Sequence, residues 1–132
     1  MTEPGAALKV TIDEKGRDIV KLVNEFADQH FDTITKTRDG KKQFTDLVEA
    51  AAQACCIEEF KLYIKYKGAK EGTRSLWGGL AYPFNLMIEK LIREVANKID
   101  EDNEAVKLEV LKRFCGYLMW RAHADISERG GR

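Results

Sequence analysis

The stretch NEAVKLEVLKRFCGYLMWRAHADI, residues 103–126, decides the fold class of this chain. Its apolar residues return at steps of three and four, the spacing of a helix that buries one face. The stripe is Val106, Val110, Leu111, Phe114, Cys115, Leu118, Met119 and Ala122. Gly116 lies within the segment, and we expect a close helix approach there. A helix with one apolar face needs a facing stripe elsewhere in the chain.

Three further segments supply such stripes. The spacing predicts a first helix over 11–36, with Asp13 as its N-cap. It predicts either one long helix over 41–67 or two helices with a bend near Cys56 and Ile57. Gly68 and Gly72 are expected to end this segment, because glycine is weak in helix interiors and favoured just past helix ends.

A further helix is predicted from Pro83 to about Ile99. Proline fits the first turn of a helix, where its missing N–H costs nothing. The residues before it, 73–79, are predicted to form a loop or a short helical turn. Trp77 in this loop is expected to be partly exposed and available to a neighbour, with a core anchor as the alternative.

These patterns predict an all-α fold, a single-domain bundle of four to five mostly antiparallel helices. Its bounds are predicted at 11–127, with flexible tails at 1–10 and 128–132. No segment alternates with the period of a strand. No apolar run reaches the roughly 18 residues that cross a bilayer, and the N-terminus lacks a secretion pattern. We therefore expect a cytoplasmic protein.

Residue chemistry argues against an enzyme. His30 and His123 lie in no metal-binding spacing, and no glycine-rich phosphate loop occurs. Cys55, Cys56 and Cys115 are predicted to be reduced, small apolar residues of the core. The sequence thus predicts no catalytic residue, no metal and no cofactor.

Basic residues cluster in a chain whose 22 Lys and Arg balance 22 Asp and Glu. Because the total charge is zero, anion binding has to be local. One cluster is Lys36, Arg38, Lys41 and Lys42, and the other is Lys61, Lys65, Lys67, Lys70 and Arg74. Tyr63, Tyr66 and Trp77 are interleaved with the second cluster, and aromatic plus basic residues are typical of surfaces that follow a single-stranded backbone. The alternative is a solvated helix face with its aromatic residues in the core.

Several short motifs resemble one family, the small subunit of type III-A CRISPR effector complexes, the Csm complexes. Lys41-Lys42-Gln43-Phe44 is similar to the family's basic residue and Gln ahead of a Phe-led helix. Tyr66-Lys67-Gly68-Ala69-Lys70 resembles the end of its middle helix. Phe114, Tyr117, Ala122-His123 and the Gly130-Gly131-Arg132 tail resemble its last helix. The resemblance covers about 14–132. The family usually has Arg at the positions that Lys41 and Lys70 occupy here. Residues 77–79 have no counterpart in the family.

The resemblance implies a non-catalytic subunit that stacks in several copies beside other effector subunits. Its basic faces would contact the backbone of guide and target RNA without reading sequence, because base pairing does the reading. The acidic residues 100–104 would meet neighbouring subunits. The predicted RNA-binding residues are Lys41, Lys42, Lys61, Lys65, Lys67, Lys70 and Arg74. The alternative is a helical adaptor or homo-oligomeric scaffold with no nucleic-acid role.

Overall fold

The computed structural model describes residues 4–37, 39–71 and 76–130. Within these ranges the chain is helical and contains no strand. The helices are α1 (Ala6–Glu14), α2 (Gly16–Gln29), α3 (Phe31–Lys36), α4 (Gly40–Gln53), α5 (Ile57–Glu71), α6 (Leu76–Leu91), α7 (Asn97–Ile99) and α8 (Glu104–Gly130), with a π-helical segment, Ile92–Ala96, between α6 and α7. The all-α prediction is confirmed. The predicted number of four to five helices is not matched, because the helices predicted over 11–36 and 83–99 are each subdivided.

The first predicted helix is divided into α1, α2 and α3, with interruptions at Lys15 and His30. The assignment of Asp13 as an N-cap is wrong, since Asp13 lies in the last turn of α1. Its carboxylate instead accepts a hydrogen bond from Arg113 on α8. Helix α1 also includes residues 6–10, and α8 continues through 128–130, so both reach into the predicted tails.

The second predicted segment consists of two helices, the alternative with a bend. Ala54 is extended, with ψ at 136°, and helix α5 begins at Ile57. Gly68 does not end α5 but lies inside it. A Cβ atom at this position would be 2.7 Å from the Cβ of Ala81 and 3.0 Å from the carbonyl oxygen of Trp77. Glycine is therefore used for the close approach of α5 and α6. Gly72 lies outside the described residues.

Helix α6 begins seven residues before Pro83, so Pro83 lies inside the helix rather than in its first turn. The loop predicted over 73–79 is helical from Leu76 onward, and 73–75 lie outside the described residues. Trp77 is 1% exposed, and the expectation of partial exposure is wrong. The alternative, in which Trp77 anchors the core, is confirmed. Because this part of the chain is helical, the Trp77 side chain packs against Phe44 and Phe84.

Contacts along the helices fix their directions. Helix α8 is antiparallel to α4, because Thr45 meets Met119 while Lys41 meets His123. Helix α2 is parallel to α8, with Gly16 near Tyr117 and Asp28 bound to Arg121. Helices α5 and α6 are antiparallel, since the pair Lys61 and Glu89 lies at one end and Gly68 and Ala81 at the other. The start of α5 lies at the start of α8, where the Ile57 N–H bonds to Glu104.

The core is centred on Phe84, which is fully buried. Its ring lies 5.4 Å from that of Phe26, 5.5 Å from Trp77, 6.1 Å from Phe114 and 6.3 Å from Phe60, measured between centroids. One side chain thus joins α2, α5, α6 and α8. Truncating a buried phenylalanine to alanine typically costs about 3–5 kcal/mol of stability, so this cluster holds the bundle together.

The predicted close approach at Gly116 is wrong, because a Cβ atom there would meet nothing within 4 Å. Among the described residues, no helix combines the length and apolar character required to cross a membrane.

Candidate nucleic-acid interface

The start of α4 and the end of α5 are distant in sequence, and both lie beside Trp77. Lys41 and Lys42 lie in the first turn of α4, just before Phe44. The ring centroid of Phe44 is 6.1 Å from that of Trp77. The backbone of Trp77 packs against Gly68, next to Lys67 and a half-turn before Lys70. We call the lysines of these two helix ends, Lys41, Lys42, Lys67 and Lys70, the lysine end. Trp77 is the buried side chain that connects its two halves.

The lysines of α4 are held by local contacts. Lys42 has 73% of its side chain exposed, and its Nζ donates to Asp46 Oδ2 at 2.8 Å. That hydrogen bond raises the pKa of Lys42. Lys41 is half-buried, and the ring of His123 donates from Nε2 to its carbonyl oxygen at 2.9 Å. His123 therefore anchors the start of α4 to α8.

The lysines of α5 divide between two faces. Lys61 and Lys65 are one helical turn apart and face α6, where Lys61 Nζ donates to Glu89 Oε2 at 2.9 Å. This contact lowers the pKa of Glu89. Lys67 is half-buried, and Lys70 is exposed with its Nζ 5.7 Å from the ring centroid of Tyr66. Arg74, the remaining predicted site residue, lies outside the described residues. Lys67 and Lys70 thus lie on the end of α5 that adjoins Trp77, as the start of α4 does, while Lys61 and Lys65 line a groove.

The groove lies between α5 and α6 and has a volume of about 460 Å³. We call it the α5–α6 groove. The groove is lined by lysines, by small residues and by one exposed aromatic ring. Lys61, Lys65, Gly68 and Ala69 come from α5, and Ala81 and Tyr82 come from α6. Helices α5 and α6 touch at Gly68 and Ala81, whose side chains fill little of the space beside this contact. Ligand pockets typically have volumes of about 300–1,000 Å³.

Asn85, a lining residue of this groove, carries an unsatisfied acceptor that is itself buried. Its Nδ2 donates to the carbonyl oxygen of Lys61 at 3.1 Å, which fixes the orientation of the amide. Its Oδ1 is enclosed and has no hydrogen-bond partner among the described residues. A buried acceptor without a donor costs about 1–3 kcal/mol of stability, and because this oxygen has no exposed surface, a ligand in the groove does not reach it.

The aromatic residues interleaved with the lysines have different environments. Trp77 is in the core and Tyr63 packs against it, as the alternative interpretation held, whereas Tyr66 is exposed. Tyr82 was not selected from the sequence, yet it is 75% exposed at the groove. The sequence could have identified Tyr82 by its position in the helical repeat of α6. It lies between the buried residues Leu80 and Phe84, and so falls on a different face of the helix.

The cysteines are only partly as predicted. Cys115 is buried, and burial raises its pKa. Cys55 is exposed and Cys56 half-buried, so the prediction that they lie in the core is wrong; the chain leaves its helix at this point. Hydrogen bonds to Glu59 and Cys56 raise the pKa of the Cys55 thiol to about 11. The described residues contain no group of three or more His, Cys, Asp or Glu side chains suited to a metal ion.

A second surface lies between α2 and α8, on the part of α8 that α4 does not cover. Trp120 is 66% exposed there, and its ring centroid lies 5.7 Å from that of Tyr117. Val20 and Gly16 border the same groove. We call this the Trp120 surface. It is apolar, whereas the lysine end is charged.

Comparison of the chain with protein-family models, with curated proteins and with solved structures finds no match.

Proposed function

We propose that this protein is a non-catalytic, cytoplasmic small subunit of a type III CRISPR RNA-guided effector complex, which contacts the backbone of guide or target RNA without sequence specificity. The observation that carries the proposal is the lysine end, where basic residues from α4 and α5 flank Trp77. Lysines at these helix ends suit phosphates, because anion binding on a protein of zero total charge depends on local basic residues. The motif resemblance at Lys41 and Lys70 supports the choice of complex.

The ion pairs of Lys42 and Lys61 are compatible with RNA binding. Exposed pairs of this kind contribute about 0–1 kcal/mol, so a phosphate can replace the carboxylate at little cost. Each lysine acts as a point charge and needs no base edge. We therefore expect similar affinity for RNAs of different sequence and a strong dependence on salt.

Neighbouring effector subunits and further copies of this chain complete the proposed assembly. The acidic residues 100–104 remain candidates for such contacts, except Glu104. Its Oε2 accepts a hydrogen bond from the N–H of Ile57 within the same chain at 2.7 Å, so this carboxylate oxygen already has a partner.

The test is a salt titration of RNA binding by the full chain and by the assembled complex. Replacing Lys41 or Lys70 with alanine should weaken binding equally for unrelated sequences and lower the magnitude of the salt slope by about one unit each. Lys21→Ala and Lys98→Ala are matched controls, because both lysines are exposed and line a different groove, between α2 and the stretch from the end of α6 to α7.

Charge reversal of the six described lysines of the predicted set tests the whole proposal. It should abolish binding by the free chain and reduce target RNA cleavage by the complex. If RNA binding and cleavage are both unchanged, the proposal is wrong.

The second candidate is a helical adaptor or homo-oligomeric scaffold with no nucleic-acid role. The Trp120 surface favours it, because an exposed Trp beside a Tyr is typical of protein interfaces. Under this candidate Trp120→Ala would dissociate an oligomer in sedimentation experiments, while the lysine variants would leave the assembly unchanged.

A further inference from the structure

The Trp120 surface combines a projecting ring with an open space. Trp120 is 66% exposed, and its ring lies against Tyr117, with 5.7 Å between the centroids. Gly116 lies one helical turn earlier on α8. Apart from its neighbours in the chain, no side chain of the described residues would lie within 4 Å of a Cβ atom built at Gly116. A knob and a hole therefore lie one turn apart on the same helix.

Packing within the bundle requires neither feature. Glycine in a helix interior is less favourable than alanine, because it loses more backbone entropy on folding, and an alanine would fit at 116. An exposed Trp is typical of the centre of a protein interface. Ala124, one turn after Trp120, is also exposed, so the strip formed by Gly116, Trp120 and Ala124 carries no charge. A second helix can approach this strip without burying a charged group.

We propose that the Trp120 surface is the contact between two copies of this chain. In an antiparallel pair of α8 helices related by a two-fold axis, Trp120 of each copy packs over Gly116 of the other. One arrangement thus fills both holes and covers both rings. An unrelated protein would have to supply a matching knob and hole of its own, whereas a second copy has both at the required spacing.

Charges on α2 favour the same antiparallel arrangement. Arg17, in the first turn of α2, and Asp28, in its last turn, are both exposed. They are eleven residues apart, about three turns, and so lie on one face of the helix. Asp28 binds Arg121, yet 69% of its side chain remains exposed. Because α2 is parallel to α8, the two-fold axis brings Arg17 of each copy toward Asp28 of the other, whereas a parallel copy would bring like charges together.

The inference rests on the proposed function only for its self-association, since the contact uses none of the lysines of the lysine end. Dimerisation is expected with or without RNA. The two proposals are therefore tested by separate measurements, oligomeric state for this one and RNA affinity for the other.

The experiment is sedimentation velocity of the full chain over a wide range of concentrations, where we expect a dimer. Trp120→Gly removes the knob and Gly116→Trp fills the hole. Each variant alone should dimerise more weakly by about 30-fold or more, the effect of losing an interface hot spot. A mixture of the two variants should dimerise again, because both Trp residues of one chain then face glycine in the other. An unrelated partner would give no such rescue.

Further variants separate this contact from folding and from general effects. Circular dichroism verifies that each variant is helical, and Trp120→Ala repeats the test of the knob with a better helix former. Tyr82→Ala is the matched control, because it removes an exposed aromatic residue from α6 and should leave the dimer unchanged. Arg17→Glu should weaken the dimer, since it places a negative charge opposite Asp28 of the other copy.

The outcomes distinguish the two proposals. A parent chain that stays monomeric at every concentration overturns the interface, and so does a dimer that Trp120→Gly and Trp120→Ala leave unchanged. Loss of the dimer in both single variants without rescue in the mixture also overturns it, because the two-fold contact of Trp120 with Gly116 requires that rescue. In each of these cases salt-dependent RNA binding through the lysine end leaves the RNA-binding role standing. Dimerisation with rescue but without RNA binding leaves only the interface.

Discussion

The Oε2 atom of Glu104, in the first turn of α8, accepts a 2.7 Å hydrogen bond from the main-chain N–H of Ile57, the first residue of α5. The first N–H groups of a helix have no partner within that helix. A carboxylate is well suited to this position because the helix dipole is positive there. One side chain thus joins the starts of two helices that lie 47 residues apart.

Removing this carboxylate should destabilise the bundle. Glu104→Ala leaves the Ile57 N–H without its partner, and we expect the free energy of unfolding to fall by about 1–2 kcal/mol. Urea denaturation followed by circular dichroism measures this. Glu101→Ala is the matched control, because Glu101 is exposed in the turn before α8 and should change stability little. Equal stability of both variants would show that the hydrogen bond contributes nothing.

Gly68→Ala tests the contact between α5 and α6. The added methyl group would lie 2.7 Å from the Cβ of Ala81 and 3.0 Å from the carbonyl oxygen of Trp77, and neither atom can move without its backbone. Overpacking of this kind costs about 1–3 kcal/mol. The higher helix propensity of alanine offsets only part of that cost. We expect a lower thermal midpoint and altered near-ultraviolet dichroism from Trp77, and an unchanged midpoint would refute the close approach.

Gly116→Ala should have the opposite effect. Gly116 lies inside α8, and a Cβ atom there meets nothing within 4 Å. Because glycine loses more backbone entropy on folding than alanine, the substitution should stabilise the protein by about 0.5–1 kcal/mol. The two glycine variants form a matched pair for a single denaturation experiment. Destabilisation by Gly116→Ala would mean that α8 packs more tightly than described.

Glu59 controls the reactivity of Cys55. The Cys55 thiol donates to Glu59 Oε2 at 3.2 Å, and the pKa of about 11 leaves little thiolate at neutral pH. Glu59→Gln removes the largest cause of the raised pKa. Alkylation of Cys55 at pH 8 should therefore become faster, by about tenfold for each pKa unit that the substitution removes.

Mass spectrometry of the alkylated peptides gives the rate at each cysteine. Cys115 is the internal control, because it is buried and should react only after unfolding in either variant. Unchanged alkylation of Cys55 in Glu59→Gln would contradict the assigned role of Glu59.

The periodicity of apolar residues determined the helical class and most of the helix positions. It works because the stripe that a helix buries is a local property of its sequence, as in the last helix, where Val106, Leu111 and Phe114 are all buried. The same logic failed at Gly68 and Pro83. Their effect on a helix depends on what packs against them, and a glycine that permits Ala81 to approach looks in sequence like a glycine that ends a helix.

The sequence by itself also determined which segments are basic, but only the tertiary structure decided what each lysine faces. Lys42 and Lys61 are bound to carboxylates of Asp46 and Glu89, whereas Lys65 lines a groove with Tyr82. Likewise, Trp77 became the buried link between two basic segments because α6 begins before it. These facts depend on contacts between residues far apart in the chain, and such contacts leave no periodic trace in a single sequence.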